Sequence, residues 1–168
     1  MKTIISLAML CALAAFAYGQ EPTKATAKLE PKSGSNVSGL ITFTKTGADV
    51  HVVGDIENLK PGKHGFHIHE KGDCSAPDAS SAGGHFNPTH QHHGGPTTPE
   101  RHVGDLGNIE PDASGKVHFD WTGKMSLSGA DSIIGKSVVV HEKADDLKTD
   151  PAGNSGARVA CGVIKAAD

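Results

Sequence analysis

After residue 20 the chain consists of short runs of alternating apolar and polar residues, with no helical period of any length. Alternation with a period of two is typical of β-strands that bury one face, and the Gly, Pro, Asn and Asp residues between the runs predict turns. Short strands in such succession favour an antiparallel sandwich or a flattened barrel. We therefore predict an all-β domain of eight strands, at residues 24–30, 38–46, 49–58, 63–70, 102–109, 116–121, 136–141 and 158–164.

The N-terminal segment has the layout of a secretory signal peptide. Lys2 precedes an apolar run at residues 4–17, and the Ala-Tyr-Gly at residues 17–19 resembles a cleavage site. A membrane anchor is the alternative, but it would need an apolar run of about 20 residues. We therefore expect residues 1–19 to be removed and residues 20–168 to form one domain that is secreted, extracellular and not attached to a membrane.

Removal of the predicted signal peptide also removes Cys11 and leaves Cys74 and Cys161. In the oxidising compartment that export implies, two cysteines are expected to form a disulfide, and two unpaired buried thiols are the alternative. Export also makes the sequon that begins at Asn36 a candidate site for an N-linked glycan. The formal net charge of −3 argues against a nucleic acid as partner, because such partners require a basic surface.

Two intervals between the predicted strands show no periodicity, at residues 71–101 and 142–157. Loops of this length are uncommon in a compact domain unless they are functional or disordered. We expect a disulfide and metal ions to hold the first of these loops, because it contains one cysteine and four histidines, namely Cys74, His85, His90, His92 and His93.

The eleven histidines of the chain point to metal binding, since neutral imidazole is the commonest metal ligand. His67 and His69 are two residues apart on a predicted strand, so their side chains share a face and can reach one ion. A lone pair of this kind is more often a surface pair, but further candidate ligands follow at His85, His93, His102, Asp105 and His141. Seven ligands are too many for one tetrahedral ion and suit two ions that share an imidazole. Mostly histidine ligation with one carboxylate suits copper and zinc.

Other catalytic and metal-binding classes lack their motifs in this chain. There is no Cys-x-x-Cys pair and no helical His-Glu-x-x-His, which argues against a zinc finger and a metalloprotease. There is also no Gly-x-Ser-x-Gly elbow and no glycine-rich phosphate loop.

Over essentially the whole mature chain, the sequence closely resembles the secreted copper/zinc superoxide dismutases. Several motifs of the family occur in the expected order, which makes a chance resemblance negligible. They are GFHIHE at residues 65–70, GHFNP at 84–88, RHVGDLGN at 101–108, VHEKADDL at 140–147 and GNSGARVACG at 153–162.

The resemblance implies a Greek-key barrel with two long functional loops and a role for each matching residue. Arg158 corresponds to the arginine that guides superoxide to copper, and Asp145 to a carboxylate that bonds one histidine of each metal site. His85 corresponds to the histidine that bridges both metals and passes a proton to the substrate. The implied copper ligands are His67, His69, His85 and His141, and the implied zinc ligands are His85, His93, His102 and Asp105.

By the same resemblance, the protein is expected to convert superoxide to dioxygen and hydrogen peroxide, with one copper and one zinc ion per subunit. The alternative is a non-enzymatic copper/zinc-binding module on the same scaffold, which a missing copper ligand or a missing arginine would favour. A homodimer is also implied, and the residues near the family's pairing face are Gly72, Asp73, Ile134, Gly135 and Val163.

The chain departs from the cytosolic members of the family in the two long loops. Cys74 occurs several residues earlier, as in bacterial and some secreted members. Residues 148–153 form a shorter segment, and Ala152 stands where a threonine normally narrows the channel above copper. His90 and His92 have no ligand counterpart, so we expect them to be solvated.

Overall fold

Nine strands form one antiparallel sheet in the computed structural model of the protein, which describes residues 21–167. The signal peptide predicted at residues 1–19 lies outside the described residues and stays a prediction. Within the described part, no helix has the length and apolar character needed to cross a membrane. The strands are β1 (Lys24–Pro31), β2 (Ser38–Thr46), β3 (Asp49–Glu57), β4 (His64–His69), β5 (Asp105–Ile109), β6 (Val117–Gly123), β7 (Ser137–His141), β8 (Arg158–Val163) and β9 (Lys165–Ala166).

The order of the strands makes the sheet a nearly closed barrel with Greek-key connections. Neighbouring strands follow the order β5, β4, β7, β8, β1, β2, β3, β6, and the short β9 pairs with β1. The connections from β3 to β4 and from β5 to β6 cross from one end of this order to the other. The predicted all-β antiparallel barrel is confirmed. The prediction lacked β9, because Ile164 interrupts the strand that we expected to continue to that residue.

The side chains of β3 show the alternation that defines the barrel interior. Val50, Val52 and Ile56 are buried in the core, whereas Asp55 faces solvent. The residues of β4 and β7 are instead buried throughout, because the two long loops cover the outer side of these strands. On β4 the side chains of Phe66 and Ile68 enter the core, and His67 and His69 at the alternate positions face the loops.

The segment at residues 102–104, predicted as the start of a strand, is a turn, and β5 begins only at Asp105. The main-chain N–H of Asp105 donates to the carbonyl of His102 at 3.2 Å. In return, Asp105 Oδ2 accepts the main-chain N–H of His102 at 3.1 Å. Residues three apart on a strand point to opposite faces, so only the turn can place these two side chains in one site.

The loop at residues 71–101 is fixed to the outer side of the barrel by a disulfide. Cys74 and Cys161 are bonded, with their Cα atoms 5.8 Å apart, which confirms the predicted pairing. Cys161 is fully buried in a small cluster with Ala79 and Val139. Apart from one turn of 3-10 helix at Ser80–Ala82, the loop has no regular structure, in agreement with the prediction.

Candidate metal centre

Three histidines and one carboxylate surround a single point between the turn before β5 and the loop at residues 71–101. These residues, His85, His93, His102 and Asp105, are called the aspartate group, and all four are buried. Asp105 Oδ1 lies 2.8 Å from Nδ1 of His85, 3.1 Å from Nδ1 of His93 and 3.2 Å from Nδ1 of His102. Ligands about 2.0–2.1 Å from a tetrahedral zinc ion lie about 3.3 Å from one another. The spacing of these atoms therefore fits a tetrahedral zinc site.

A second group, formed by histidines alone, adjoins the first. Its members, called the four-histidine group, come from β4, the 71–101 loop and the end of β7, and they are His67, His69, His85 and His141. Nε2 of His69 and Nε2 of His141 are 3.3 Å apart. Nδ1 of His69 donates to the carbonyl of Gly83 at 2.9 Å, and Nδ1 of His141 donates to the carbonyl of Gly156 at 3.3 Å. In the neutral rings both Nε2 atoms then carry lone pairs, so the two nitrogens need a cation between them.

Three ring nitrogens in the two groups are buried without a hydrogen-bond partner. They are Nδ1 of His67, Nε2 of His85 and Nδ1 of His93. An unsatisfied buried polar atom costs about 1–3 kcal/mol, and native structures contain few of them. A metal ion in each group would satisfy these nitrogens, so the donor set fits two bound metals.

Asp145 determines which nitrogen of two histidines is free to bind a metal. Its Oδ2 accepts the Nε2 proton of His67 at 2.7 Å, and its Oδ1 accepts the Nε2 proton of His93 at 2.8 Å. Nδ1, the atom that lies in the metal group, is therefore the nitrogen of each ring left to bind a metal. Asn108 and the N–H of Leu147 hold Asp145 in place, with Asn108 Oδ1 accepting the main-chain N–H of Asp145 at 2.8 Å and Asp145 Oδ1 accepting from Leu147 at 2.6 Å.

A cleft of about 260 Å³ leads from solvent to the four-histidine group, and we call it the four-histidine cleft. The Arg158 guanidinium lines the cleft and is held by two carbonyl oxygens. Nη1 donates to Ala79 and Nη2 to Gly83, both at 2.7 Å. The cleft is lined by His69, Gly84, His85, His141, Asp150, Pro151, Ala152, Asn154, Ser155, Gly156 and Arg158.

Comparison with known protein families identifies the family to which the chain belongs. Residues 37–164 match the family described as copper/zinc superoxide dismutase. The chain belongs to the copper/zinc superoxide dismutase family. This membership confirms the resemblance, the predicted superoxide dismutase activity, and the predicted copper and zinc cofactors.

Individual members of the copper/zinc superoxide dismutase family are similar along most of the chain. An extracellular superoxide dismutase (Cu-Zn) of Drosophila melanogaster is 45% identical over 174 residues, which cover 96% of each chain. A superoxide dismutase (Cu-Zn) of Onchocerca volvulus is 48% identical over 143 residues, covering 78% of this chain and 90% of that protein. The crystal structure of the clock protein EA4 has a TM-score of 0.83 and 46% identity, and the match covers 90% of this chain and 99% of that chain.

The electrostatics of a superoxide dismutase centre are visible in the pKa values of the buried groups. Burial lowers the pKa of His85 to about 4, and burial also lowers the pKa of His69 and His141 well below the ordinary value. These rings are therefore neutral at physiological pH and keep lone pairs for metals. Burial disfavours charge on His93, but the nearby carboxylates of Asp105 and Asp145 outweigh it and raise its pKa to about 10.

The sequence-predicted site residues are brought together in this superoxide dismutase centre, whereas two other histidines are not. His90 and His92 lie outside both metal groups and are exposed, as expected. The ring of His92 nevertheless donates to Asp150 at 2.6 Å, so it is not simply solvated. Sequence reasoning missed Asp150 and Asn108. Asn108 lies within the family motif at residues 101–108 and could have been found there, while Asp150 follows no local pattern.

Proposed function

We propose that this protein disproportionates superoxide with copper held by the four-histidine group and zinc held by the aspartate group. When bound, copper supplies one-electron redox chemistry, and zinc, a d¹⁰ ion, supplies none. Overall, two superoxide anions and two protons give one dioxygen and one hydrogen peroxide. The observation that carries this assignment is His85, whose Nδ1 lies 2.8 Å from Asp105 while its Nε2 is buried without a protein partner. One imidazole thereby belongs to both groups.

The task of Arg158 is to bind and orient the anion in the four-histidine cleft. Arginine stays charged in proteins and can bond two oxygens of an anion. The carbonyls of Ala79 and Gly83 fix the guanidinium, so little side-chain entropy is lost when superoxide arrives. A positive charge in a cleft can raise the association rate by about 10–10³-fold, even in a protein of negative net charge.

His85 is placed to deliver a proton to the reduced substrate. Its Nδ1 belongs to the aspartate group, so Nε2 is the ring atom that can bind and release a proton toward the cleft. His64 supports the cleft from behind, because its Nδ1 donates to the carbonyl of His141 at 2.8 Å. Residues around the cleft thus orient the substrate and supply a proton.

Dismutation and metal content of two variants test the proposal. His141→Ala removes a ligand of the four-histidine group alone, so zinc should stay at one per chain while activity disappears. Asp105→Ala should release zinc and lower the melting temperature more than His141→Ala does, because the turn at residues 102–105 depends on this carboxylate. Equal loss of both metals in His141→Ala would show that the two sites are wrongly assigned. A fully metallated parent without activity would instead support the metal-binding module.

We also infer that the protein is secreted and carries a glycan on Asn36. The names of the relatives as extracellular enzymes support secretion. Asn36 is exposed between β1 and β2, beside an open cavity of about 610 Å³, so a glycosyltransferase can reach it. Protein collected from the medium of secreting cells should begin near Gln20 and lose mass on enzymatic removal of N-glycans. A medium fraction that retains residues 1–19, or an unmodified Asn36, would contradict the respective inference.

We infer further that two copies pair through Gly72, Gly135 and Val163. A Cβ atom on Gly72 would lie 2.8 Å from the carbonyl carbon of Gly135 and 3.3 Å from Val163, so these residues converge on one patch. Ile134 and Val163 are half-buried there, and the glycines let a partner main chain approach closely. Sedimentation equilibrium should show a dimer that Ile134→Glu dissociates. A monomeric parent at micromolar concentration would rule this pairing out.

A further inference from the structure

Asp150 makes two contacts between loops that are far apart in the sequence. Its Oδ1 accepts the main-chain N–H of His93 at 2.7 Å, and its Oδ2 accepts the Nδ1 proton of His92 at 2.6 Å. Asp150 therefore bonds to the main chain of a residue in the aspartate group.

In the described part of the chain, His93 makes no main-chain hydrogen bond besides the one to Asp150, although the neighbouring N–H of Gly94 donates to Asp105 Oδ2 at 3.0 Å. His92 precedes it with a side chain that is 93% exposed, and Gly94 and Gly95 follow it. Glycine has the widest conformational freedom of all residues, so this segment can move unless it is bonded. Asp145 holds the His93 ring at 2.8 Å and Asp105 holds the N–H of Gly94, but neither bond is made to the main chain of His93 itself.

We propose that Asp150 is a positioning residue that locks the main chain of His93 so that its ring stays in ligand geometry for zinc. The inference rests on the proposed function, because it takes the aspartate group as the zinc site. Two aspartates from the loop at residues 142–157 then hold different parts of His93. Asp145 orients the ring, and Asp150 positions the main chain that carries it.

The neighbouring Asp146 provides a matched control. It belongs to the same loop and is exposed, but its carboxylate bonds only within that loop in the described structure, to Lys148, Thr149 and Asn154. Asp146→Ala therefore loosens the loop without touching His93. Asp150→Asn is the conservative variant, because its amide oxygen can accept from the His93 N–H and its amide N–H can donate to neutral His92.

Zinc release from the copper- and zinc-loaded protein into excess chelator tests the proposal. Asp150→Ala should release zinc about tenfold faster than the parent, at the lower end of what the loss of a partner bonded to a metal ligand costs. Asp150→Asn, His92→Ala and Asp146→Ala should stay within about twofold of the parent, since each keeps the bond to the His93 main chain. With cobalt(II) in place of zinc, the visible absorption bands should change in Asp150→Ala and return to the parent form in Asp150→Asn.

Each of the following results would overturn either the positioning role of Asp150 or the proposed function. Parent-like zinc release and parent-like cobalt bands in Asp150→Ala would overturn the positioning role, as would an equal effect of Asp146→Ala, which would mean general loosening of the loop. An equal effect of His92→Ala would move the role from the main-chain bond to the side-chain bond and would also overturn the proposal. A parent protein that binds no zinc in the aspartate group would contradict the proposed function itself. Dismutase assays would show that failure separately from a failure of the positioning role.

Discussion

Replacing Asp145 by alanine should release zinc far more readily than copper. The change removes the acceptor for the Nε2 protons of His67 and His93, at 2.7 and 2.8 Å, in a site where the side chains of all three residues have no exposed surface. His67 keeps its position, because β4 is paired with β5 on one side and β7 on the other. His93 lies in a loop, so its ring loses the only contact that orients Nε2.

The size of the effect follows from the kind of bond that is lost. A hydrogen bond to a charged group contributes about 1.5–3 kcal/mol, and removal of such a partner from a ligating histidine costs about 10–100-fold in metal affinity. We therefore expect zinc affinity to fall about 10–100-fold, which corresponds to about 1.4–2.8 kcal/mol. Copper affinity should fall less than about tenfold, since the strand holds His67 without Asp145.

Competition with chelators of known affinity, run separately for each metal, gives the two affinities. Asp146→Ala is the control, because its carboxylate is exposed and does not contact either histidine. Unchanged zinc affinity in Asp145→Ala would refute the reasoning, and so would a larger loss of copper than of zinc. The second result would mean that strand pairing does not hold His67.

Three further outcomes are expected. Arg158→Ala should keep both metals and lose about tenfold in second-order rate, with a flatter dependence on ionic strength, and an unchanged rate and salt slope would contradict its guiding role. Because the pKa of His93 is raised to about 10 and zinc must displace that proton, zinc affinity should fall about tenfold for each pH unit from about pH 8 down to pH 6. A pH-independent affinity by competition titration would disprove this linkage. Replacing both Cys74 and Cys161 by serine should lower the free energy of unfolding by about 4–5 kcal/mol in the chain-entropy account, and urea denaturation that shows a loss below about 1 kcal/mol would count against it.

Local pattern was enough to predict most strands and part of the candidate site. Strand side chains alternate whatever the rest of the chain does, so the pairing of His67 and His69 on one face could be deduced from their spacing. The same alternation gave the wrong structure at residues 102–104, because the hydrogen bonds of the Asp105 carboxylate favour a turn there. The roles of the other candidate ligands came from the family resemblance, and the structure brings those side chains together in two groups.

The sequence by itself determined the all-β class, the two long loops, and the set of residues able to bind copper and zinc. Only the tertiary structure decided which nitrogens face each metal group and that Asp150 bonds the main chain of His93. The physical reason is that a strand's pattern depends on near neighbours, whereas a loop has no period of its own. The positions of its residues depend on bonds to residues that are far away in the chain, as with Asp145 and His67.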